Sequence, residues 1–347
     1  MQVHWSYFDC DKEDEEQLQR QWEDRQRRLF SRLEAHADEP AELELVADRQ
    51  DESPQWQIQS ALHLPDRTVV VRAAGNEPGE AVENIVTGLI DEIDQLPERP
   101  EKITLRREGL QSVVPILEQC RRNGRSDVFC TWLAPVVATL DKHVRHELRT
   151  REAESDGAIT QVTSNDVLDE VLVRAYDQFD RRPQNLSLDL WLVQLAQEVL
   201  DESCRTLAEQ SLDEQVPKPT TEPREAWRDR WTEWSTVSET MEMGDMLPTV
   251  PGIEAWDALD LETKKTETDR MLSRLPRDER QALVLNTVYG FPVAEVADFQ
   301  GRSQDDVRAA IQGGRYSLER YFLEQYLPRL EERIKTSSSR PSRQANQ

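Results

Sequence analysis

The feature that most constrains the fold is a change in the spacing of apolar residues near residue 97. Before this point, segments 41–50, 55–64 and 67–75 read as strands, whereas from about residue 110 onward almost only helical spacing is found. Alternating apolar residues lie on one face of a strand, and residues three or four apart lie on one face of a helix. The sequence therefore predicts a mixed N-terminal domain followed by helical domains.

The N-terminal domain, residues 1–97, is predicted to have the order β-α-β-β-β-α. A strand at 2–8 precedes a helix that contains Leu18, Trp22 and Leu33 at helical spacing. Three strands follow, with a turn at Pro65 and Asp66. The last helix carries an apolar stripe composed of Val82, Ile85, Val86, Leu89, Ile90 and Ile93. This order favours an antiparallel-rich sheet with both helices on one face, so the predicted fold class is multidomain α+β.

The rest of the chain is predicted to be all helical, apart from its connecting segments. The helix that begins at Ser164 or Asn165 is expected to end before Pro183. The predicted segments are a connector at 98–125, a helical domain at 126–207, an acidic linker at 208–260, a helical domain at 261–327, and a disordered tail at 328–347. The linker contains four tryptophans, Trp227, Trp231, Trp234 and Trp256.

The formal net charge of −25 restricts the possible partners. A chain this acidic repels nucleic acid over most of its surface, so any contact with DNA must be local. The acidity more naturally suits docking onto a basic protein surface or simple solubility, and solubility alone is the commoner explanation of such a composition.

The chain is expected to be cytoplasmic and not to enter a membrane. It contains no apolar run of about 18 residues, and its N-terminus lacks the pattern of a signal peptide. The four cysteines, Cys10, Cys120, Cys130 and Cys204, are widely spaced. This spacing favours unreactive thiols over a disulfide or zinc framework.

Residues 272–321 predict a helix-turn-helix. Pro276 starts a first helix, a short second helix begins near Val293, and a tight turn at 300–302 follows. Ser303 is a suitable N-cap for a longer helix. In this arrangement the N-terminal residues of the last helix enter the major groove of DNA.

This block resembles the C-terminal DNA-binding region of sigma-70-family factors, particularly the extracytoplasmic-function type. The resemblance rests on Leu275, Pro276, Arg280, Leu285, Gly290, Glu295, Ala297, Ser303, Val307, Arg308, Arg315 and Leu318. It implies that promoter DNA is contacted by Arg302, Ser303, Gln304, Arg308, Gln312 and Arg315.

Two features of the block depart from that family. The family usually has basic residues where this chain has Ala310 and Gly313. Residues 277–321 also contain six arginines against seven acidic residues, which weakens the attraction to phosphates. A helix-turn-helix that serves only in packing or protein docking is the alternative.

The helix predicted after Ser164 resembles the sigma helix that docks on the clamp of the largest RNA polymerase subunit. The matching residues are Asp166, Glu170, Arg174, Ala175 and Tyr176. The resemblance implies that core RNA polymerase is a partner, bound by Asp166, Glu170, Arg174 and Tyr176. An acidic and aromatic helix face suits a basic coiled coil. An ordinary amphipathic helix is the alternative, because its apolar residues alone form a core stripe.

Residues 189–201 resemble the next sigma helix, which melts promoter DNA. Melting requires aromatic and basic side chains that hold the displaced strand. Residues 186–203 contain no lysine or arginine, and Trp191 is their only aromatic residue. Promoter melting by this chain alone is therefore not expected.

Residues 1–97 resemble the ribosome hibernation promoting factor family in element order and in segments 28–36 and 62–93. Members of that family occupy the decoding cleft by means of basic helices, so the ribosome is a possible partner. In this chain, residues 80–98 contain six acidic residues and no basic one. Ribosomal RNA would repel such a surface, and a retained fold with a different use is expected.

The sequence predicts neither an enzyme nor a cofactor, because no phosphate-binding loop, dinucleotide fingerprint or nucleophile elbow is found. His143 and His146 lie next to Glu147 at a spacing that suits a metal, but a third ligand is missing and a solvated helix face is favoured. The favoured hypothesis is a sigma-factor-like protein that docks on core RNA polymerase and recognises promoter DNA. The alternative is a ribosome-associated or sigma-derived regulator that binds proteins, such as an anti-sigma-type partner, without initiating transcription.

Overall fold

The computed structural model describes residues 2–36, 41–49, 55–64, 67–95, 109–154, 162–210, 246, 256 and 260–328. The described residues form two compact units, one drawn from 1–143 and 165–237 and the other from 144–164 and 238–347. The division falls after His143, within a long helix.

The first unit begins with a four-stranded sheet in the order β1-β2-β3-β4. Its strands are β1 (Gln2–Phe8), β2 (Glu42–Arg49), β3 (Trp56–His63) and β4 (Thr68–Gly75). β1 and β2 are parallel, and the other two pairs are antiparallel. Parallel neighbours need a crossover connection, which helix α1 (Lys12–His36) provides between β1 and β2.

Helices α1 and α2 (Pro78–Asp94) pack against one face of this sheet. Helical spacing places the apolar residues of α1 and α2 on one face of each helix, and strand alternation places apolar residues of the sheet on the face that meets them. Together these residues form one core. The core includes Leu18, Trp22, Leu29, Leu43, Leu45, Ile58, Leu62, Val82, Ile85, Val86 and Leu89. The element order and the shared helical face agree with the sequence prediction.

The opposite face of the sheet differs from the prediction. The alternation of apolar and polar residues in segment 41–50 is typical of a strand buried on one face only, but every residue from Glu42 to Asp48 is buried. Gln119 donates a hydrogen bond to the Asp48 carboxylate at 3.2 Å. The guanidinium of Arg125 lies 5.5 Å from the centre of the Phe8 ring. Residues that follow α2 in the sequence therefore contact β1 and β2.

The segment predicted as a connector, 98–125, is partly a folded element. It contains a 3-10 turn at Leu110–Val113 and helix α3 (Val114–Arg122). The buried residues of this element are Leu110, Val113, Val114, Ile116, Leu117 and Cys120. The helical spacing noted from about residue 110 onward therefore corresponds here to a short buried element.

Three longer helices follow, α4 (Ser126–Glu154), α5 (Ser164–Gln178) and α6 (Leu188–Gln210). Aromatic side chains join them: Phe179 lies edge-on to Phe129 at 5.2 Å and to Trp191 at 5.9 Å. Such contacts add to the stabilisation that burial of the rings provides. A 3-10 turn ends at Arg181, ahead of Pro183, as expected.

The second unit contains α7 (Leu261–Leu272), α8 (Arg277–Leu283), α9 (Val293–Gln300) and α10 (Gln304–Tyr321). Short π-helical turns follow α8 at Val284–Val288 and α10 at Phe322–Tyr326. The carboxylate of Asp269 on α7 lies 2.7 Å from Nδ1 of His146 and 2.5 Å from Nε of Arg149. Trp256 is buried and its ring lies 6.3 Å from that of Phe322.

Most of the predicted linker 208–260 and of the tail 328–347 lies outside the described residues, as do Trp227, Trp231, Trp234 and the predicted turn at Pro65 and Asp66. The four cysteines are not joined in disulfides. None of the helices in the described part of the chain has the length and apolar character needed to cross a bilayer.

Candidate nucleic-acid interface

The turn between α9 and α10 has the geometry expected of a helix-turn-helix. Gly301 ends α9 with φ of 62°, in the left-handed region that favours glycine. Ser303 has an extended backbone, and its hydroxyl accepts a hydrogen bond from the amide of Asp306 at 3.1 Å. The predicted turn and cap are therefore confirmed.

The inner face of α10 packs against α8. Its buried residues are Val307, Ala310, Ile311, Gly314 and Leu318. A Cβ added at Gly314 would lie 3.5 Å from the backbone oxygen of Glu279 and 3.6 Å from Leu283 Cδ2. The departure noted at Ala310 therefore concerns the core, because this side chain is not on the surface that would face DNA.

The outer face of α10 carries four of the six predicted DNA-binding residues, Gln304, Arg308, Gln312 and Arg315. All four are exposed, and their spacings of four, four and three residues place them in one stripe. We call this set the α10 stripe. The remaining two, Arg302 and Ser303, lie in the turn at its N-terminal end, partly buried and exposed respectively.

Local partners hold both arginines of the α10 stripe. Arg308 donates to Asp305 at 2.7 Å and to Gln304 at 3.2 Å, and Arg315 donates to Thr287 at 3.2 Å. These bonds are exposed, so solvent screens them and a phosphate competes with them at little cost. The arginines of the α10 stripe are therefore held in position and remain accessible to DNA.

Three further residues change the charge and the character of this surface in ways that the family resemblance did not indicate. Asp305 in the first turn of α10 has a side chain that is 93% exposed. Arg280 is 2% exposed, which removes one of the six arginines from the surface. Tyr316, next to Arg315, is 65% exposed and was missed, because a tyrosine in an amphipathic helix gives no sign of its orientation.

The predicted polymerase-docking residues on α5 are divided between two faces. Asp166 and Glu170 are exposed, and Arg174 follows them at the same spacing. Tyr176 instead packs inward, edge-on to Phe129 at 5.2 Å and beneath the guanidinium of Arg121 at 4.9 Å. The structure therefore does not bring Tyr176 together with the other three.

Arg174 serves to join α5 to α6. Its side chain is 20% exposed and binds Glu170 at 2.7 Å and Glu202 at 2.6 Å. The hydrogen bond from Arg174 holds the pKa of the Glu202 carboxyl below its usual value. Asp166, Glu170 and the exposed Val173, which is 47% exposed, form the surface that we call the α5 acidic face.

Helix α6, which resembles the sigma helix that melts promoter DNA, has its aromatic residue and Gln197 in the core. Trp191 is 4% exposed and Gln197 is 6% exposed. Gln197 Nε2 lies 3.2 Å from Nε2 of His143 on α4. Trp191 is therefore not available to stack on an unpaired base.

The arginines of α1 are largely neutralised by acids. Arg25 and Arg28 both bind Glu83 of α2, at 3.1 Å and 2.6 Å, and Arg32 binds Asp94 at 3.1 Å. Arg20 binds Glu16 within α1. The N-terminal helices therefore do not present the uncompensated basic surface that binding to ribosomal RNA requires.

The histidine pair on α4 is not the solvated surface that the sequence favoured. His143 and His146 are each 1% exposed, and Glu147 is 4% exposed. His143 contacts Gln197 and His146 contacts Asp269, as described above. Each imidazole therefore takes part in helix packing.

Comparison with known proteins supports one part of the sequence-based resemblance. Residues 265–318 match the family model described as Sigma-70, region 4, and no curated protein matches the chain. The match extends from α7 to α10 and includes the α9–turn–α10 geometry and the α10 stripe. Residues 265–318 are therefore similar to region 4 of the sigma-70 family, which indicates a sigma-factor-like role in DNA binding.

Proposed function

We propose that this chain is a non-enzymatic, cytoplasmic, sigma-factor-like protein that binds core RNA polymerase and recognises promoter DNA through α10. The observation that carries the proposal is the exposed α10 stripe within the segment similar to sigma-70 region 4. In a helix-turn-helix this face of the second helix is the one that meets base edges. Arginine suits the task because its guanidinium binds guanine at two atoms.

Binding to DNA is expected to depend on polymerase. The net charge of −25 opposes approach to a duplex, and the α10 stripe supplies only two arginines. Attachment to polymerase raises the effective concentration of α10 at the promoter and offsets this repulsion. Promoter selection would then arise from α10, and most of the affinity from polymerase.

The DNA-binding part is tested with the full-length chain and core polymerase on labelled promoter fragments. Arg308→Ala and Arg315→Ala are each expected to lower affinity about tenfold and to relax sequence preference. Arg320→Ala, in the last turn of the same helix, is the matched control and should change affinity less than about twofold. An equal loss in all three variants, or no selective binding by the unmodified chain, would contradict the proposal.

The polymerase-docking part rests on the α5 acidic face. Carboxylates beside an exposed valine suit a basic partner surface that also offers an apolar contact. Asp166→Asn with Glu170→Gln should weaken binding to core polymerase in gel filtration. Glu198→Gln on α6 removes an exposed charge elsewhere and should leave binding unchanged. Retention of full binding by the double variant would remove α5 from the interface.

A second candidate is a sigma-derived regulator that binds polymerase or the ribosome without opening promoters. The burial of Trp191 favours it, because strand separation needs an aromatic side chain that can stack on a base. Permanganate footprinting on the full chain with core polymerase separates the two candidates. Unpaired thymines at a selected promoter support initiation, whereas promoter binding without them supports the regulator.

The ribosomal form of this alternative has its own measurement. Sedimentation with ribosomes should leave the chain in the supernatant, because Glu83 and Asp94 neutralise arginines of α1. Cosedimentation that withstands moderate salt would favour the ribosome-associated regulator over the sigma-like proposal.

A further inference from the structure

The face of the sheet that lies opposite α1 and α2 carries a cluster of three possible metal ligands. His4 on β1 pairs with Glu44 on β2, and Glu42 lies two residues before Glu44 on the same face. His4 Nε2 is 2.9 Å from Glu42 Oε1, and one ligand atom from each of the three residues lies within 4.8 Å of the others. We call these residues the β1–β2 trio. Within the described ranges, it is the one such group of three.

Burial makes this cluster costly without a cation. Glu42 is 1% exposed and Glu44 is 0% exposed. Two carboxylates taken out of water repel each other, and a cation shared between them relieves that repulsion. Glu42 Oε2 is buried and accepts no hydrogen bond from the described residues. A divalent cation would satisfy this oxygen and balance both carboxylates.

The trio has a route to solvent. His4 is 20% exposed at its side chain and lines an open cleft of about 340 Å³. The other lining residues include Ser6, Glu15, Asp127 and Thr131, which offer oxygen atoms, together with Arg125. An ion from solution therefore reaches the imidazole without unfolding of the sheet.

We propose that His4, Glu42 and Glu44 bind one divalent transition-metal ion, for which Zn²⁺ is the best-suited occupant. One imidazole nitrogen and two carboxylate oxygens form a donor set that zinc accepts, with a further position left for water. Ca²⁺ takes six to eight oxygen ligands, and Mg²⁺ retains several waters, so a buried site with a nitrogen donor suits neither. The site is independent of the sigma-like function proposed above.

The ion would link the edge strand β1 to its neighbour β2. β1 pairs only with β2 in the described sheet, and its ligand His4 would be joined through the metal to both carboxylates of β2. A ligand that binds only the folded state stabilises it in proportion to the logarithm of its concentration. Zinc should therefore raise the thermal midpoint of the first unit.

The test uses the full-length chain stripped with a chelator, then dialysed against micromolar Zn²⁺ and measured by elemental analysis and calorimetry. One bound ion assigned to the trio is expected, together with a rise in thermal midpoint. His4→Asn, Glu42→Gln and Glu44→Gln should each lower affinity at least about tenfold. Glu15→Gln, which alters the cleft but not the trio, is the matched control and should bind as the unmodified chain does.

Two further measurements keep the result decisive if a buried substitution impairs folding. His4→Asn lies on the partly exposed edge strand, and its circular dichroism shows whether the sheet is intact. Co²⁺ bound to the unmodified chain should give visible d–d absorption without a thiolate band, and His4→Asn should remove it. Failure of the unmodified chain to bind Zn²⁺ or Co²⁺, or undiminished binding by all three variants, overturns the proposal.

Discussion

Several arginines in the described part of the chain are balanced by nearby carboxylates, and this decides what the surface offers to a partner. The Glu83 carboxylate receives Arg25 and Arg28, and the Arg28 hydrogen bond holds the pKa of Glu83 below its usual value. Arg308 is balanced in the same way by Asp305. A count of arginines along the sequence therefore overstates the basic surface available to nucleic acid.

Glu83→Gln is expected to reduce the acid sensitivity of folding. A carboxyl whose pKa is depressed in the folded state contributes stability above its unfolded pKa, near 4.3, and loses it as the pH falls through the folded pKa. Because the Glu83 side chain is 42% exposed, the pair should contribute only about 0.5 kcal/mol at neutral pH.

Urea unfolding at neutral and acidic pH measures this effect. The variant should be less stable than the unmodified chain at neutral pH, and the difference should shrink in acid. Glu16→Gln, which breaks an exposed pair within α1, serves as the control. A difference that grows in acid would contradict the assignment.

Cys120 is expected to resist alkylation while the chain is folded. Burial raises the pKa of its thiol to about 12, so the reactive thiolate is scarce at mildly alkaline pH. Cys204 is partly exposed and should react first. Mass spectrometry after iodoacetamide treatment, with and without denaturant, reports both sites. Rapid modification of Cys120 in the folded chain would show that α3 does not stay packed.

At the scale of elements, helix ends and helix contacts determine the geometry of the helix-turn-helix. Gly301 is required by backbone conformation alone, because a Cβ there would meet nothing within 4 Å. Gly314 has no positive φ, and a Cβ there would make ordinary contacts with α8. The two glycines therefore serve different purposes within one motif.

The same substitution at these two positions should have opposite effects on stability. Gly301→Ala forces a side chain into the left-handed region and should cost about 1 kcal/mol. Gly314→Ala lies inside α10 and should gain between about 0.5 and 1 kcal/mol from higher helix propensity. Thermal unfolding of the two variants in parallel measures both. Destabilisation by Gly314→Ala would mean that α8 and α10 pack more tightly than these distances indicate.

For the whole molecule, the net charge of −25 makes the placement of a few acids decisive. Asp305 lies at the N-terminal end of α10, where the motif would approach phosphates, and its side chain is almost fully exposed. Its charge stabilises the helix N-terminus but opposes DNA.

Asp305→Asn should increase the affinity of the full-length chain for a promoter duplex by several-fold in dilute salt. The gain should fall as salt rises, because screening removes the repulsion that the substitution relieves. Glu319→Gln, near the other end of α10, is the control and should have little effect. Fluorescence anisotropy over a range of salt concentrations checks this, and equal gains in both variants would point to net charge alone.

Local sequence determined the elements of this protein. Strand alternation and helical spacing predicted the β-α-β-β-β-α order, and the Gly301 turn with the Ser303 cap located the helix-turn-helix. These features depend on residues within a few positions of one another, where backbone preferences and side-chain hydrogen bonds act. The stripe from Gln304 to Arg315 was predictable for the same reason.

Tertiary structure alone decided which polar residues are buried and what they meet. The sequence did not reveal that the helix at 114–122 contacts β2, that Tyr176 turns inward, or that His4 lies beside Glu42 and Glu44. Each depends on packing between segments far apart in the chain, where burial is set by the neighbour that covers a face. Periodicity shows which faces an element has, but only the folded chain determines what lies against them.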